Sequence, residues 1–233
     1  WLSNRFVVAS EITSWGVAVG LSQSLRTGLS SRSGVIRQAS AALLRVPKWF
    51  HSFGVTRHAY AENPPVLINS VPKSGTHLLM QIVEALPGHT NYGEFVSSMT
   101  SSFRFRQRSP ESVVRIIDRM LPGEIVRAHL FYDPRFSAAL ANLNIVNYFI
   151  YRDPRDVALS GAHYVRSMKR WHRLHRYFRE TSSMDEAITL AITGLQPSVP
   201  GVDFPNIEQR FRRYCGWLHD PNCLAIRYES LQS

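Results

Sequence analysis

An α/β fold, with a central parallel sheet covered by helices on both faces, is what this sequence predicts. Three observations predict it. From Pro64 onward, short runs rich in Val, Ile and aromatic residues alternate with longer segments of helical periodicity, the pattern of strands and crossover helices. Two of those runs, 66–71 and 145–151, pass through a short turn directly into a helix-patterned segment. The composition, 44% hydrophobic and 19% charged over 233 residues, supports one sizeable core. It excludes a disordered, collagen-like or low-complexity chain.

The elements follow in order. Asn63-Pro64-Pro65 punctuates the chain, and Val66-Leu67-Ile68-Asn69-Ser70-Val71 reads as a buried strand. Residues 72–76 form a turn, and 76–86 form a helix stopped by Pro87-Gly88, a pair that cannot continue it. Residues 89–109 read as a polar, irregular stretch. The spacing of Val113, Val114, Ile116, Ile117 and Met120 predicts a helix over 111–120. Strands are expected at 124–130 and 145–151, the second β-branched and aromatic. Helices are expected at 156–168, 185–195 and 207–218, with a loop at 196–206 carrying Pro197, Pro200 and Pro205, and a last strand at 223–228.

The net charge of +10 calls for an anionic partner, and phosphate-bearing ligands, nucleic acid, anionic lipid and acidic polymers all fit it. Seven basic residues against one acid, +6 of that excess, lie within the first 60 residues. Residues 1–62 therefore form a basic, Ser- and Arg-rich extension with helical pieces, and 63–233 form the main domain. No apolar run approaches the ~18 residues of a spanning helix, and no secretory leader is visible. The expected location is the cytoplasm. The acid-poor start offers organelle targeting, or an anionic surface, as alternatives. The chain begins at Trp1, so it is expected to be processed or a fragment. Cys215 and Cys223 are too few for a disulfide framework or a Cys-rich zinc site, and are expected to be ordinary thiols.

Two motifs carry the chemistry. Val71-Pro72-Lys73-Ser74-Gly75-Thr76-His77 joins a strand to a helix. Backbone N–H groups and the helix dipole favour an anion at such a junction. Gly75 permits close backbone approach, Lys73 brings charge, and Ser74 and Thr76 bring hydroxyls. Lys73 precedes the single Gly, unlike the G-x-x-x-x-G-K-[ST] loop of nucleotide triphosphatases. The second motif, Arg152-Asp153-Pro154-Arg155-Asp156 with Ser160 eight residues after Arg152, again leaves a strand and opens a helix. Arg152 stands at the strand's C-terminal end, where open α/β sheets bind ligands. The bland alternative makes Arg152-Asp153 and Arg155-Asp156 solvated ion pairs that cap the helix.

Together the two motifs resemble the PAPS-dependent sulfotransferases, PAPS being 3′-phosphoadenosine 5′-phosphosulfate. Pro72 to His77 is similar to the family's P-K-S-G-T-T/H loop, and Arg152 to Ser160 to its R-[ND]-x-[KR]-D-[VA]-x-x-S element. Tyr228-Glu229-Ser230-Leu231 looks like its Tyr-Glu-[DS]-[LM] strand end, so the likeness runs over about 64–231. The resemblance implies a P-loop-like three-layer α/β/α sandwich. It implies that Lys73, Ser74, Gly75, Thr76 and His77 hold the 5′-phosphosulfate and that Arg152 and Ser160 hold the 3′-phosphate. The family's usual Trp after Gly-Thr is replaced by His77-Leu78, which leaves adenine stacking to Trp217 or Tyr214. A later R-K-G-x-x-G-D-W-K-like loop is absent before Ser233, so the chain is expected to be truncated at its C-terminus.

Arg127-Ala128-His129-Leu130 is similar to the K-[TA]-H-L segment that carries a catalytic His in the family's soluble members. A neutral imidazole suits removal of a proton from an attacking hydroxyl or amine. His129 is the expected general base, with an acidic limb in the pH–rate curve near the imidazole's ~6.5, and Glu94 is the alternative. Arg166, Lys169, Arg170, His172, Arg173, His175, Arg176 and Arg179 form a basic cluster, read as a solvated face. The expected activity is sulfuryl transfer from PAPS to a small-molecule or carbohydrate hydroxyl or amine, with Lys73 stabilising the leaving phosphate. No metal and no nucleic-acid partner are expected. The rivals are a P-loop phosphoryl-transfer enzyme such as a small kinase, and a non-enzymatic basic module.

Overall fold

The computed structural model describes residues 34–99, 107–168, 172–196 and 199–231. The chain divides into two compact units: residues up to Thr56 with Asn91–Glu94, and Arg57–Thr90 with Phe95–Ser233. The described part of the first unit is dominated by α1 (Gly34–His51), an amphipathic helix with Pro47 inside it. Lys48 and His51 lie in its last turn, where cations complement the helix dipole. His51 Nδ1 lies 2.5 Å from Tyr92 Oη.

The second unit contains α2 (Arg57–Glu62), β1 (Val66–Ser70), α3 (Thr76–Glu84), α4 (Pro110–Ile117), β3 (Glu124–His129), α5 (Pro134–Asn142), β4 (Val146–Tyr151) and α6 (Pro154–His163). A π turn (Tyr164–Met168), α7 (His175–Arg179), α8 (Met184–Thr193), α9 (Ile207–Arg212), a 3-10 turn (Cys215–Leu218), β5 (Cys223–Arg227) and a 3-10 turn (Tyr228–Leu231) follow. The strand β2 (Thr90–Ser97) completes a sheet ordered β2-β3-β1-β4-β5. The pairs β1–β3, β1–β4 and β4–β5 are all parallel, with Val66 opposite Ile125 and Val146, and Asn147 opposite Cys223.

All five residues of β1 are buried, as expected of a strand covered on both faces. Its alternate side chains serve two cores. Leu67 joins Val126, Phe149 and Trp217 on one face, and Val66 and Ile68 join Leu79, Met80, Ile125 and Ile150 on the other. A third cluster packs Ala158 and Ala162 of α6 with Phe178 of α7 and with Ala187 and Ala191 of α8. Parallel register brings the C-terminal ends of β1, β3, β4 and β5 to one edge, and those ends carry Ser70, His129, Tyr151 and Arg227.

Several expectations need correction. The stretch 89–109 contains β2; its Asn91 and Gly93 are poor strand formers, so the sequence hid a strand that sheet pairing imposes. The helix α5 was not anticipated, although Asp133 caps it and Pro134 opens it. The helices expected over 156–168 and 207–218 each end early and pass into a π turn and a 3-10 turn. The first 33 residues of the basic extension, Lys169, Arg170 and Pro197 lie outside the described residues.

Candidate functional site

The turn between β1 and α3 is built for close approach of a ligand. Ser74 N–H donates to Val71 O at 3.2 Å. Lys73 adopts φ 72° and Gly75 φ 95°, the left-handed region that costs a non-glycine residue about 1 kcal/mol or more. A Cβ on Gly75 would lie 2.3 Å from the Tyr228 ring, so the turn and the end of β5 are pressed together. Gly75 provides no side-chain cap for α3. Ser74 is fully buried, and its hydroxyl has no hydrogen-bond partner among the described residues. A buried hydroxyl left unmatched is costly and marks a place for a ligand atom.

Lys73 points its ammonium over the Tyr164 ring, 4.2 Å from the centroid. Burial, and then the neighbouring Arg152 charge, lower the Lys73 pKa. Arg152 lies over the Tyr228 ring at 4.5 Å, and its Nη2 is 3.2 Å from Asp156 Oδ2. Its Nε is buried with no partner among the described residues. Two neighbouring cations, with the unmatched Ser74 hydroxyl next to one and the unmatched Nε on the other, are suited to receive a polyanion.

Asp153 caps α6 by accepting from Arg155 N–H at 2.9 Å, and Pro154 opens the helix. The ion pairs of the bland alternative, Arg152-Asp153 and Arg155-Asp156, are crossed: Arg155 pairs with Asp153 at 2.6 Å and Arg152 with Asp156. Hydrogen bonds from Arg155 hold the Asp153 carboxyl down at about 2. Glu229 Oε1 accepts from Asp153 N–H at 3.0 Å, which ties the end of β5 to this junction. Ser160 is half-buried on α6, and His77 is exposed in the first turn of α3.

His129 ends β3 beside the first turn. Its Nδ1 lies 3.0 Å from Ser70 O and 2.9 Å from Ser70 Oγ, and Ser70 Oγ is 2.6 Å from Thr76 Oγ1. A carbonyl oxygen only accepts, so Nδ1 carries the proton and Nε2 the lone pair. Phe95 packs edge-on against the ring at 5.2 Å. Burial above all, then the Arg127 and His77 charges, pull the imidazole down to about 4, and the Ser70 carbonyl opposes them in part. The ring is therefore neutral at pH 7. Glu94, the alternative proton acceptor, lies on β2.

Trp217 and Tyr214 do not stack on an open site. Trp217 is fully buried and donates to Leu130 O at 2.9 Å, and Tyr214 is 2% exposed. The aromatic ring at the junction of both motifs is Tyr228, which sequence reading treated only as part of a strand-end motif. Nor is the basic cluster simply solvated: Arg166 donates to Thr181 O at 3.1 Å, and His175 Nδ1 lies 2.7 Å from Val165 O. Among the described residues, no three His, Cys, Asp or Glu side chains group as metal ligands, and no helix is long and apolar enough to cross a membrane. Cys215 and Cys223 are free thiols.

No curated protein matches the chain. Among solved structures, mouse sulfotransferase SULT7A1 complexed with PAP is similar, at 20% identity and a TM-score of 0.48, covering 72% of this chain and 52% of that one. The chain thus spans about half the length of that structure. The sulfotransferase domain family matches residues 63–233, from the strand before the Lys73 turn to the end of the chain. That match spans well over half of the sequence, and the chain belongs to the sulfotransferase domain family.

Proposed function

We propose that this chain transfers a sulfuryl group from PAPS to a hydroxyl or amine acceptor. The observation that carries the reading is the proximity of Lys73 and Arg152, with the Ser74 hydroxyl and the Arg152 Nε both buried and unmatched among the described residues. Lys73, Ser74, Gly75, Thr76 and His77 would hold the 5′-phosphosulfate, and Arg152 and Ser160 the 3′-phosphate. PAPS supplies the activated sulfuryl group. Lys73 neutralises charge on the departing phosphate oxygen, where fixed positive charge counts most.

His129 Nε2 accepts the acceptor's proton as the nucleophile attacks. Ser70 fixes this tautomer through its carbonyl, and its hydroxyl links the imidazole to Thr76 in the anion-binding turn. Proton removal and anion binding are thus coupled through one serine. Tyr228 offers an aromatic face beside Arg152 for the adenine. A sulfuryl-transfer assay with Lys73→Ala tests the reading. Losing one such electrostatic partner costs ~10²–10³ in turnover, and a variant with wild-type turnover would contradict it.

A further inference from the structure

An apolar cavity of about 230 Å³ opens beside Lys73. Phe131, Val157, Leu174, Phe178 and Phe211 supply much of its wall. Neither Arg152, Ser160 nor the Ser74-to-His77 segment lines it, so Lys73 alone joins it to the residues assigned to the donor. His129 does not line it either, so an acceptor seated there would extend its nucleophile past Lys73 to reach both the transferred group and the imidazole.

The charged part of the wall is unbalanced. Lys73, Arg173, Arg210 and Arg213 line the cavity against a single carboxylate, Asp203. Asp203 is taken by Arg213 through two contacts of 2.5 and 3.0 Å. Arg173 donates to Gly201 O. Arg210 lies over the Phe204 ring at 4.3 Å and donates to Ala191 O. Its Nε is buried without a partner, and it forms no ion pair among the described residues. Burial pulls its guanidinium down to about 10, which leaves it charged at neutral pH.

Tyr214 is the second unmatched donor. Its ring is fixed by Phe131, edge-on at 5.1 Å, and by Phe149, stacked at 6.1 Å. The residue is 2% exposed, and its hydroxyl has no partner among the described residues. Trp217, three residues on and equally buried, satisfies its N–H on Leu130 O. Burial raises the Tyr214 pKa, so the phenol stays protonated and can donate. A half-buried cation without an ion pair among the described residues, lining the same cavity as a buried phenol without an acceptor there, calls for an anionic oxygen from a ligand.

We infer that the cavity holds the acceptor, and that the acceptor combines an apolar body with a carboxylate or similar acidic group bound by Arg210 and Tyr214. This inference rests on the sulfotransferase reading. The class it names is an acid-bearing aromatic or aliphatic hydroxy- or amino-compound. A neutral acceptor would leave both donors unmatched.

The test uses the full-length protein saturated with adenosine 3′,5′-bisphosphate. Calorimetry compares 3-(4-hydroxyphenyl)propionate with its uncharged amide. The carboxylate is expected to bind about ten-fold tighter or more, the range of a charge-assisted hydrogen bond. Arg210→Gln should erase that preference, and Tyr214→Phe should reduce it several-fold without lowering the melting temperature, since its hydroxyl has no partner among the described residues. If Arg210→Gln does not fold, Tyr214→Phe carries the test alone. Equal binding of the two probes, binding of neither, or a preference kept in every folded variant would overturn the inference. Failure of the bisphosphate itself to bind would instead overturn the donor reading.

Discussion

The two strand-to-helix junctions of the domain have the same topology and opposite chemistry. At the second, α6 is closed by the protein itself: Asp153 caps it, Pro154 removes one donor, and Glu229 accepts from Asp153 N–H. Arg152, whose Nε is unmatched among the described residues, and the half-buried Ser160 remain to meet a ligand. At the first, α3 has no side-chain cap, two residues adopt left-handed backbone, and the Ser74 hydroxyl is buried with no partner among the described residues. The first junction is organised around a missing group, whereas the second is complete and lends one cation. This difference fits a ligand whose main anion sits in the Lys73 turn and whose second anion is held by Arg152 at its side.

The largest effect expected concerns the proton acceptor beside the first junction. His129→Ala should lower turnover by ~10²–10⁴, the range for general acid–base catalysis, while adenosine bisphosphate still binds. Single-turnover measurements check this, and Glu94→Gln is the control. If Glu94→Gln loses turnover and His129→Ala keeps it, the carboxylate is the base.

Gly75→Ala probes whether the first junction needs its backbone. The new Cβ would lie 2.3 Å from Tyr228 at φ 95°, so about 1–3 kcal/mol of stability should be lost. Because Tyr228 also supports Arg152, affinity for the bisphosphate should fall as well. Thermal melts with and without ligand measure both. By contrast, Gly161→Ala on α6 meets nothing within 4 Å and should stabilise the helix by about 0.5–1 kcal/mol.

The smallest effect is on pH dependence. With the imidazole pulled down to about 4, turnover should stay level from pH 7 through the ordinary histidine range and fall only as pH drops towards 4. Stability follows the same sign. The unfolded imidazole, at about 6.5, takes up its proton first, so lowering pH from 6.5 towards 4 destabilises the fold, and His129 contributes no change above that window. An acidic limb at 6.5 in the rate profile would mean that His129 is solvated, or not the base.

Much of this contrast was legible in the sequence, because both junctions are local. A buried strand, a turn with Lys73 and Gly75, and a helix start lie within a dozen residues, as do Arg152, Pro154 and Ser160. What stayed hidden depends on distant chain segments. Tyr228 reaches Gly75 across some 150 residues of sequence, and Glu229 reaches Asp153 across the sheet. The strand β2 lacks a period-2 apolar pattern, so only its neighbours identify it. The depressed His129 pKa comes from burial, which no local motif encodes. Trp217 and Tyr214 attracted a stacking role because they are aromatic, yet packing places both in the core.

The central claim is that both junctions bind one ligand, with Arg152 reading its second phosphate. Calorimetric titration of wild type and Arg152→Ala with adenosine 3′,5′-bisphosphate and with adenosine 5′-monophosphate tests it most directly. Wild type should prefer the bisphosphate, and Arg152→Ala should lose about ten-fold or more on the bisphosphate, as expected for a charge-assisted contact, and little on the monophosphate. Equal losses on both ligands, or no preference in wild type, would contradict the account.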